Sequence, residues 1–254
     1  MNMHRLDELR PAGPLAGRIV RIEPIEERHR EGLREAAERD PQIHRYTNMY
    51  SLGFDRWFDL ALESTSEVPF VVCLDGRPVG SSRYLNVEPF HKRLEIGWTW
   101  LERAQWGTGA NIETKYLLMR NAFDGWGAMR VEFKTDARNL RVRGALLGVG
   151  ASFDGIFRKH MILPDSIRDS AWYSVLDDDW PRVKRGFAVL DRRYGMDLWT
   201  LNMHCNLLAV SNDRAAALPI LERIGERSEL EVWGSHETYL KFRDWARRQG
   251  QCQN

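Results

Sequence analysis

Two glycines with one residue between them, Gly107 and Gly109, lie in the segment Gln105–Asn111, between an aromatic-rich stretch and a run of good helix formers. A strand that enters a glycine-bearing turn and leaves as a helix makes an anion site. The first N–H groups of the helix have no internal partner and stand at the positive end of its dipole. Glycine lets that backbone approach phosphate oxygens without a Cβ in the way. Here Gly107 and Gly109 occupy the turn with Thr108 between them, and Ala110 and Asn111 open the helix. The arrangement suits a pyrophosphate. It is neither a P-loop, which needs Gly-Lys-Ser/Thr, nor the full GxGxxG pattern. Taken alone, it reads equally well as an ordinary strand–helix turn.

Little else in the chain competes as chemistry. The three cysteines, Cys73, Cys205 and Cys252, form no CxxC pair, so neither a disulfide framework nor a metal site is expected. Cys73 falls in the apolar run Pro69–Leu74 and reads as a small core residue. A net charge of +1 gives no bulk attraction to nucleic acid or membrane, and neither is expected as a partner. No apolar run approaches the roughly 20 residues that span a bilayer. The N-terminal stretch has no apolar signal region, so the default expectation is a cytoplasmic protein.

The elements that must position the turn follow from periodicity. Arg18–Ile25 alternates as a strand, and Glu26–Arg39 is amphipathic with Leu33 and Ala36 inward. Phe54–Glu63 places Phe54, Trp57, Phe58 and Ala61 at helical spacing. Phe70–Leu74, the turn signal Asp75-Gly76 and Pro78–Val87 read as a hairpin. Arg93–Leu101 is a third strand, with Leu94, Ile96, Trp98 and Trp100 expected on one face and Glu95, Gly97 and Thr99 on the other. After the glycine turn come a helix over Ile112–Trp126, a strand over Met129–Thr135 and a short helix over Asn139–Gly148. Strands over Ala151–Leu163 and Ser170–Leu176 and a helix over Trp180–Arg193 complete the main part. The order predicts an α+β fold on a largely antiparallel sheet with one parallel βαβ step.

From Tyr194 the pattern changes. Asn206–Val210 and Leu230–Trp233 read as strands, and Asn212–Glu226 and His236–Arg248 as helices. Residues 15–193 therefore read as one domain and 194–254 as a small α/β appendage. The appendage is compatible with packing on itself, docking on the main domain, or pairing two subunits into a homodimer.

The stretch from Ala104 to Ala151, with QWGTGANIETK at its start and TDARN at Thr135–Asn139, resembles the acetyl-CoA site of the GNAT superfamily of N-acyltransferases. It is most similar to the branch that includes the RimJ and RimL ribosomal-protein N-terminal acetyltransferases. GSSRYLNV at Gly80–Val87, LEIGWTWL at Leu94–Leu101, RKHMI at Arg158–Ile162 and IRDSAWYSVLDDDWPRVK at Ile167–Lys184 extend the resemblance, in order, over about residues 15–190. It implies a mixed sheet whose strand before the glycine turn splays from its neighbour, and a co-substrate, acetyl-CoA, seated in the notch. Backbone groups of Trp98, Thr99, Trp100 and Leu101 would pair with the pantetheine arm. N–H groups from Gln105, Trp106, Gly107, Thr108, Gly109 and Ala110, with Asn111 opening the helix, would hold the pyrophosphate. Asn139 would contact the cofactor arm and Arg143 would assist its phosphates.

The sequence departs from the family at Val142, where close relatives carry serine, and at Leu146, where many members carry the tyrosine that protonates the leaving thiolate. An amine acceptor has an ordinary pKa of ~8 at a chain N-terminus or ~10.4 on lysine, so it must lose a proton before attack. Glu95, on the non-aromatic face of the strand entering the turn, is the candidate base. A structural reading pairs it instead with Arg83 or Arg93 across the strands. Tyr84 and Trp98 read as cleft walls, and His29, His91 and His160 as surface or packing residues. The implied activity is transfer of an acetyl group to a primary amine. The acceptor is a small molecule or peptide, with a protein N-terminus as the alternative. A CoA-binding protein without catalysis is the rival reading, and titration with CoA and detection of released thiol separate the two.

Overall fold

The computed structural model describes residues 4–44, 52–163 and 166–187, and in the tail residues 218, 221, 222, 224–226, 228, 233 and 235–247. Helix α1 (His4–Asp7) leads into strands β1 (Leu15–Ala16) and β2 (Arg21–Pro24), then helices α2 (Arg30–Glu38) and α3 (Phe54–Leu62). Strands β3 (Val68–Leu74), β4 (Arg77–Glu88) and β5 (Arg93–Leu101) follow as the expected meander. Asp75 and Gly76 both take positive φ, 50° and 80°, the conformation that tight hairpin turns require. Helix α4 (Ala110–Arg120) then crosses to β6 (Arg130–Asp136), and α5 (Leu140–Gly148) leads to the hairpin β7 (Ser152–Leu163) and β8 (Ser166–Leu176). A helix over 180–187, α6, follows β8.

The eight strands form one sheet in the order β1-β2-β3-β4-β5-β6-β8-β7. Only β5 and β6 run parallel, as the βαβ step demands. One face is covered by α4, α5 and α6 through a core that includes Leu94, Ile96, Leu117, Leu118, Val131, Phe133, Leu146 and Trp180. At its β3–β5 part the other face is covered by α2 and α3, through Leu33, Ala36, Phe54, Trp57, Phe58 and Ala61 against Val71, Cys73 and Trp100. Both helices bury the residues that their spacing assigned to the inner face. Cys73 is a buried free thiol in this second layer. Burial pushes it up to about 11, so almost none is thiolate at neutral pH.

The start of the chain is tied to the glycine-turn helix by one carboxylate. Glu113 is buried and accepts the backbone N–H groups of Arg18 at 2.8 Å and of Ile19 and Val20 at 2.7 Å. Gly17 is required beside it, because a Cβ there would lie 2.4 Å from the carboxylate. Glu113→Ala leaves three donors without an acceptor, and hydrogen bonds to a charged group contribute about 1.5–3 kcal/mol each. The variant should lose at least ~2 kcal/mol of stability, read in a denaturant titration; an unchanged midpoint would show that water replaces the carboxylate.

In the tail, residues 236–247 are helical as expected. Leu221, Ile224, Trp233, Tyr239 and Ala246 pack on one another, and the Tyr239 hydroxyl lies within hydrogen-bond distance of the carbonyls of Leu221 and Gly225. Trp233 is helical rather than the end of a strand, a correction at that residue. The expected strand Asn206–Val210 and the first residues of the helix expected from Asn212 lie outside the described residues.

Candidate acetyl-CoA site

Strands β5 and β6 pair over three residues only, Arg93 with Arg130, Leu94 with Val131 and Glu95 with Glu132. Beyond that point β5 stays with β4 as far as Leu101, and β6 stays with β8 as far as Asp136. The two strands therefore diverge, and the β6-facing edge of β5 after Glu95 has no strand partner. An unpaired strand edge presents N–H and C=O groups to whatever fills the gap.

A bulge aims that edge. Ser81 pairs with Trp100 and Arg83 with Gly97, so Trp98 and Thr99 together oppose Ser82. Trp98 has a φ of 50°, a left-handed conformation that is unusual for a bulky residue. The extra residue shifts the alternation of side chains. Leu94 and Ile96 join the α4-side core, whereas Trp98 and Trp100 pack with the α2–α3 layer. The expectation of all four on one face is corrected, and the cause is the bulge. The strands also approach closely here, since a Cβ at Gly80 would lie 2.1 Å from the Trp100 carbonyl oxygen.

Downstream, Glu102 anchors the glycine turn. It is buried, pairs with Arg77 and with Arg39 at 2.7 Å, and accepts the Gln105 side-chain amide at 3.1 Å. Gly107 and Gly109 both adopt left-handed φ, 77° and 88°, and Gly109 is the N-cap of α4. Four N–H groups of the turn are used within it. Gln105 donates to Glu102, Trp106 to Arg103 and Thr108 to Gln105, and Ala110 donates to the Thr108 hydroxyl. Among the described residues, the N–H groups of Gly107, Gly109 and Asn111 have no protein acceptor. Three free donors, two of them on glycines, sit where a helix dipole begins.

The Trp106 indole N–H donates to the Leu101 carbonyl at 3.1 Å. The guanidinium of Arg141, on the first turn of α5, lies 3.4 Å from the centroid of the Trp106 ring. Arg143 is the arginine expected at the phosphates. It donates to the Tyr173 hydroxyl at 2.9 Å and to the Ala137 carbonyl at 3.1 Å. Asn139 caps α5 by accepting the Val142 N–H at 3.2 Å. The loop before it is shaped by Asp136, which takes the backbone and both edge nitrogens of Arg138.

One turn inside α4, Lys115 is buried, and its ammonium bonds the Asn111 side-chain oxygen. Burial, followed by the charge of Arg141, pushes its pKa down to about 7. Lys115 and Arg141 stand beside the glycine turn, against Asn111 and Trp106, and periodicity did not single them out. Their signal was position, one turn past the glycines and two residues past Asn139.

Glu95 lies at the vertex of the diverging strands, on the face away from α4. It is 1% exposed and accepts Asn86 Nδ2 at 2.8 Å and Lys134 Nζ at 3.0 Å. Arg83 and Arg93, its suggested partners, bond Glu67 and Glu132 instead. Burial raises the Glu95 carboxyl above the usual carboxylate range, with Lys134 opposing the shift. Tyr84 is a core residue and not a cleft wall, fully buried with its hydroxyl on the Leu118 carbonyl. Leu146, at the family's tyrosine position, is 1% exposed in the α4-side core, so α5 offers no proton donor there.

The notch, the bulge and the glycine turn all lie within the segment that a family model matches. The family model described as acetyltransferase (GNAT) domain matches residues 20–152. The chain belongs to the GNAT family. It is an acetyl-CoA-dependent N-acetyltransferase. A GCN5-related N-acetyltransferase from Brucella melitensis is 29% identical, with a TM-score of 0.67, over 70% of this chain and 85% of that one. An acetyltransferase structure from T. thermophilus is 34% identical, with a TM-score of 0.63, over 71% and 98%. Mycobacterium smegmatis RimJ, solved in complex with CoA-disulfide, shares the fold at 19% identity, with a TM-score of 0.62, over 71% and 94%. A search of curated proteins finds no match. Among the described residues no helix is long and apolar enough to cross a membrane.

Proposed function

We propose that this chain seats acetyl-CoA along the open edge of β5 and transfers its acetyl group to the primary amine of a small molecule or peptide. The observation that carries the reading is the set of unpaired N–H groups at Gly107, Gly109 and Asn111, at the end of a strand that parts from its neighbour. The pyrophosphate accepts from those groups, and the pantetheine arm pairs with the free edge at Trp98–Trp100. Asn139 contacts the same arm. Arg141 and Lys115 supply positive charge beside the turn.

The co-substrate brings an acetyl thioester, already activated toward amines. Glu95 takes the proton of the incoming ammonium, through a water because the carboxylate is buried. Backbone N–H groups at the bulge stabilise the charge that develops on the carbonyl oxygen. The N–C bond forms, the C–S bond breaks, and the leaving thiolate takes the second proton from the amine nitrogen. With an ordinary pKa near 8.5, the thiolate leaves without a tyrosine at position 146. Thiol release from acetyl-CoA, assayed across a panel of amines, tests the reading. Release above the amine-free rate is expected, and CoA binding with no release from any amine would contradict it.

Two further outcomes concern the phosphates. Arg141→Ala should weaken CoA binding by ~10-fold, about 1.4 kcal/mol, whereas Arg143→Ala should lower thermal stability and leave affinity unchanged. Calorimetry that ranks the two variants the other way would return the phosphate role to Arg143.

Lys115 links binding to pH. Its folded pKa of about 7 lies below its ordinary 10.5. Between these values the unfolded chain carries a proton that the folded chain lacks, so the empty protein gains stability as pH rises through that window. A bound phosphate favours the ammonium, so CoA binding at pH 8.5 should take up protons. The binding enthalpy should then vary with buffer ionisation enthalpy, and Lys115→Met should abolish the variation. A buffer-independent enthalpy in the parent protein would exclude Lys115 from the phosphate site.

A further inference from the structure

On the α2–α3 face of the sheet, Arg83 is 4% exposed. It holds one partner, Glu67, through Nη1 at 2.8 Å. Its Nε and Nη2 are buried with no hydrogen-bond partner. These two nitrogens form one edge of the guanidinium, the side-on fork that matches both oxygens of a carboxylate. The chain uses the same edge elsewhere, where Arg138 Nε and Nη2 hold the two oxygens of Asp136 at 2.9 and 2.7 Å. At Arg83 the fork lacks its carboxylate.

The surroundings are built for a ligand group. The guanidinium carbon lies 5.0 Å from the Trp57 ring centroid and 5.1 Å from that of Trp98, so two aromatic walls flank it. The Trp57 and Trp100 rings are 5.8 Å apart, and each keeps a buried indole N–H without an acceptor. The cluster thus holds four unmatched donor nitrogens, and buried donors are ordinarily paired. Trp98 is only partly buried, so the cluster borders solvent at that ring. Arg83 pairs with Gly97 immediately before the bulge, next to the edge where the acetyl group is seated. It also stands on the sheet face opposite α4, which fits the acceptor and not CoA. Glu67 already holds one side of the guanidinium and would repel a phosphate dianion, so the single planar fork favours a carboxylate.

We infer that Arg83 recognises a carboxylate on the acceptor, gripped side-on between the Trp57 and Trp98 rings, so that the preferred acceptor is an amine that also carries an acid group. The inference rests on the acetyltransferase reading for the word acceptor, but recognition itself is measurable without turnover.

The probes are ω-amino acids of two to six carbons and their primary amides, which differ only in the charged group. With the full-length protein and saturating acetyl-CoA, one chain length should favour the acid over its amide by about 100-fold in kcat/KM, as expected where a site's polar groups are otherwise left unpaired. Arg83→Gln should remove the preference while leaving CoA affinity unchanged. Arg83→Lys, which keeps charge but not the fork, should restore little of it. Equal use of acid and amide at every length, or a preference that survives in Arg83→Gln, would overturn the inference. If no amine turns over, thermal shifts of the CoA-loaded parent protein with the same pairs decide the matter. Stabilisation by an acid and not its amide supports the site even then, and no difference overturns it. That comparison needs no variant and so also covers an Arg83→Gln protein that fails to fold.

Discussion

Gly109→Val should weaken CoA binding by at least ~10-fold while the fold survives. Gly109 holds a φ of 88° as the N-cap of α4, where a side chain costs about 1–2 kcal/mol and a β-branched one is least tolerated. Any relaxation of that strain turns the N–H groups of Gly109 and Asn111 away from their present directions. The same Cβ blocks the backbone's approach to the pyrophosphate. Strain and loss of the donors act on one step, binding, so calorimetry should register both. Circular dichroism should show the sheet and helices retained. Unchanged affinity in a folded Gly109→Val protein would remove the phosphate role from the turn.

Glu95→Gln should lower turnover by ~100-fold, within the usual contribution of a positioned base, and should leave CoA affinity nearly unchanged. The amide keeps the shape and the bond from Asn86 but cannot take a proton, and it loses the attraction of Lys134 at 3.0 Å. The pH profile adds a test that a structural role would not meet. A base whose carboxyl is raised by burial is protonated over a wider acidic range, so the parent rate should climb with pH through a carboxyl titration above the usual range. The Gln variant should lack that limb. Equal turnover in the two proteins, or an identical acid limb, would exclude Glu95 from proton transfer.

How far the chain could be read depended on the range of the interactions involved. The inner residues of α2 and α3 and the Asp75-Gly76 turn were visible because helical spacing and positive φ are local properties. So was the strand–glycine turn–helix unit, with its left-handed Gly107 and Gly109. The bulge at Trp98 was not visible. LEIGWTWL alternates without interruption, and the break lies in the register with Ser81–Arg83 on the neighbouring strand, which only the folded sheet shows. Arg141 and Arg143 are two residues apart, on nearly opposite sides of α5, and which side meets Trp106 is set by how the helix packs. The partners of Glu95 were hidden for a similar reason, since Lys134 comes from the parallel strand beyond a helix crossover. Arg83 carried no signal at all, because an unmatched guanidinium is recognised by what fails to surround it.

The most direct measurement is a crystal structure of the chain with CoA. Its pyrophosphate oxygens should lie within hydrogen-bond distance of the N–H groups of Gly107, Gly109 and Asn111, with the pantetheine arm running along Trp98–Trp100 between β5 and β6. A pyrophosphate bound away from those three groups, or a pantetheine arm outside the gap between the two strands, would contradict the assignment.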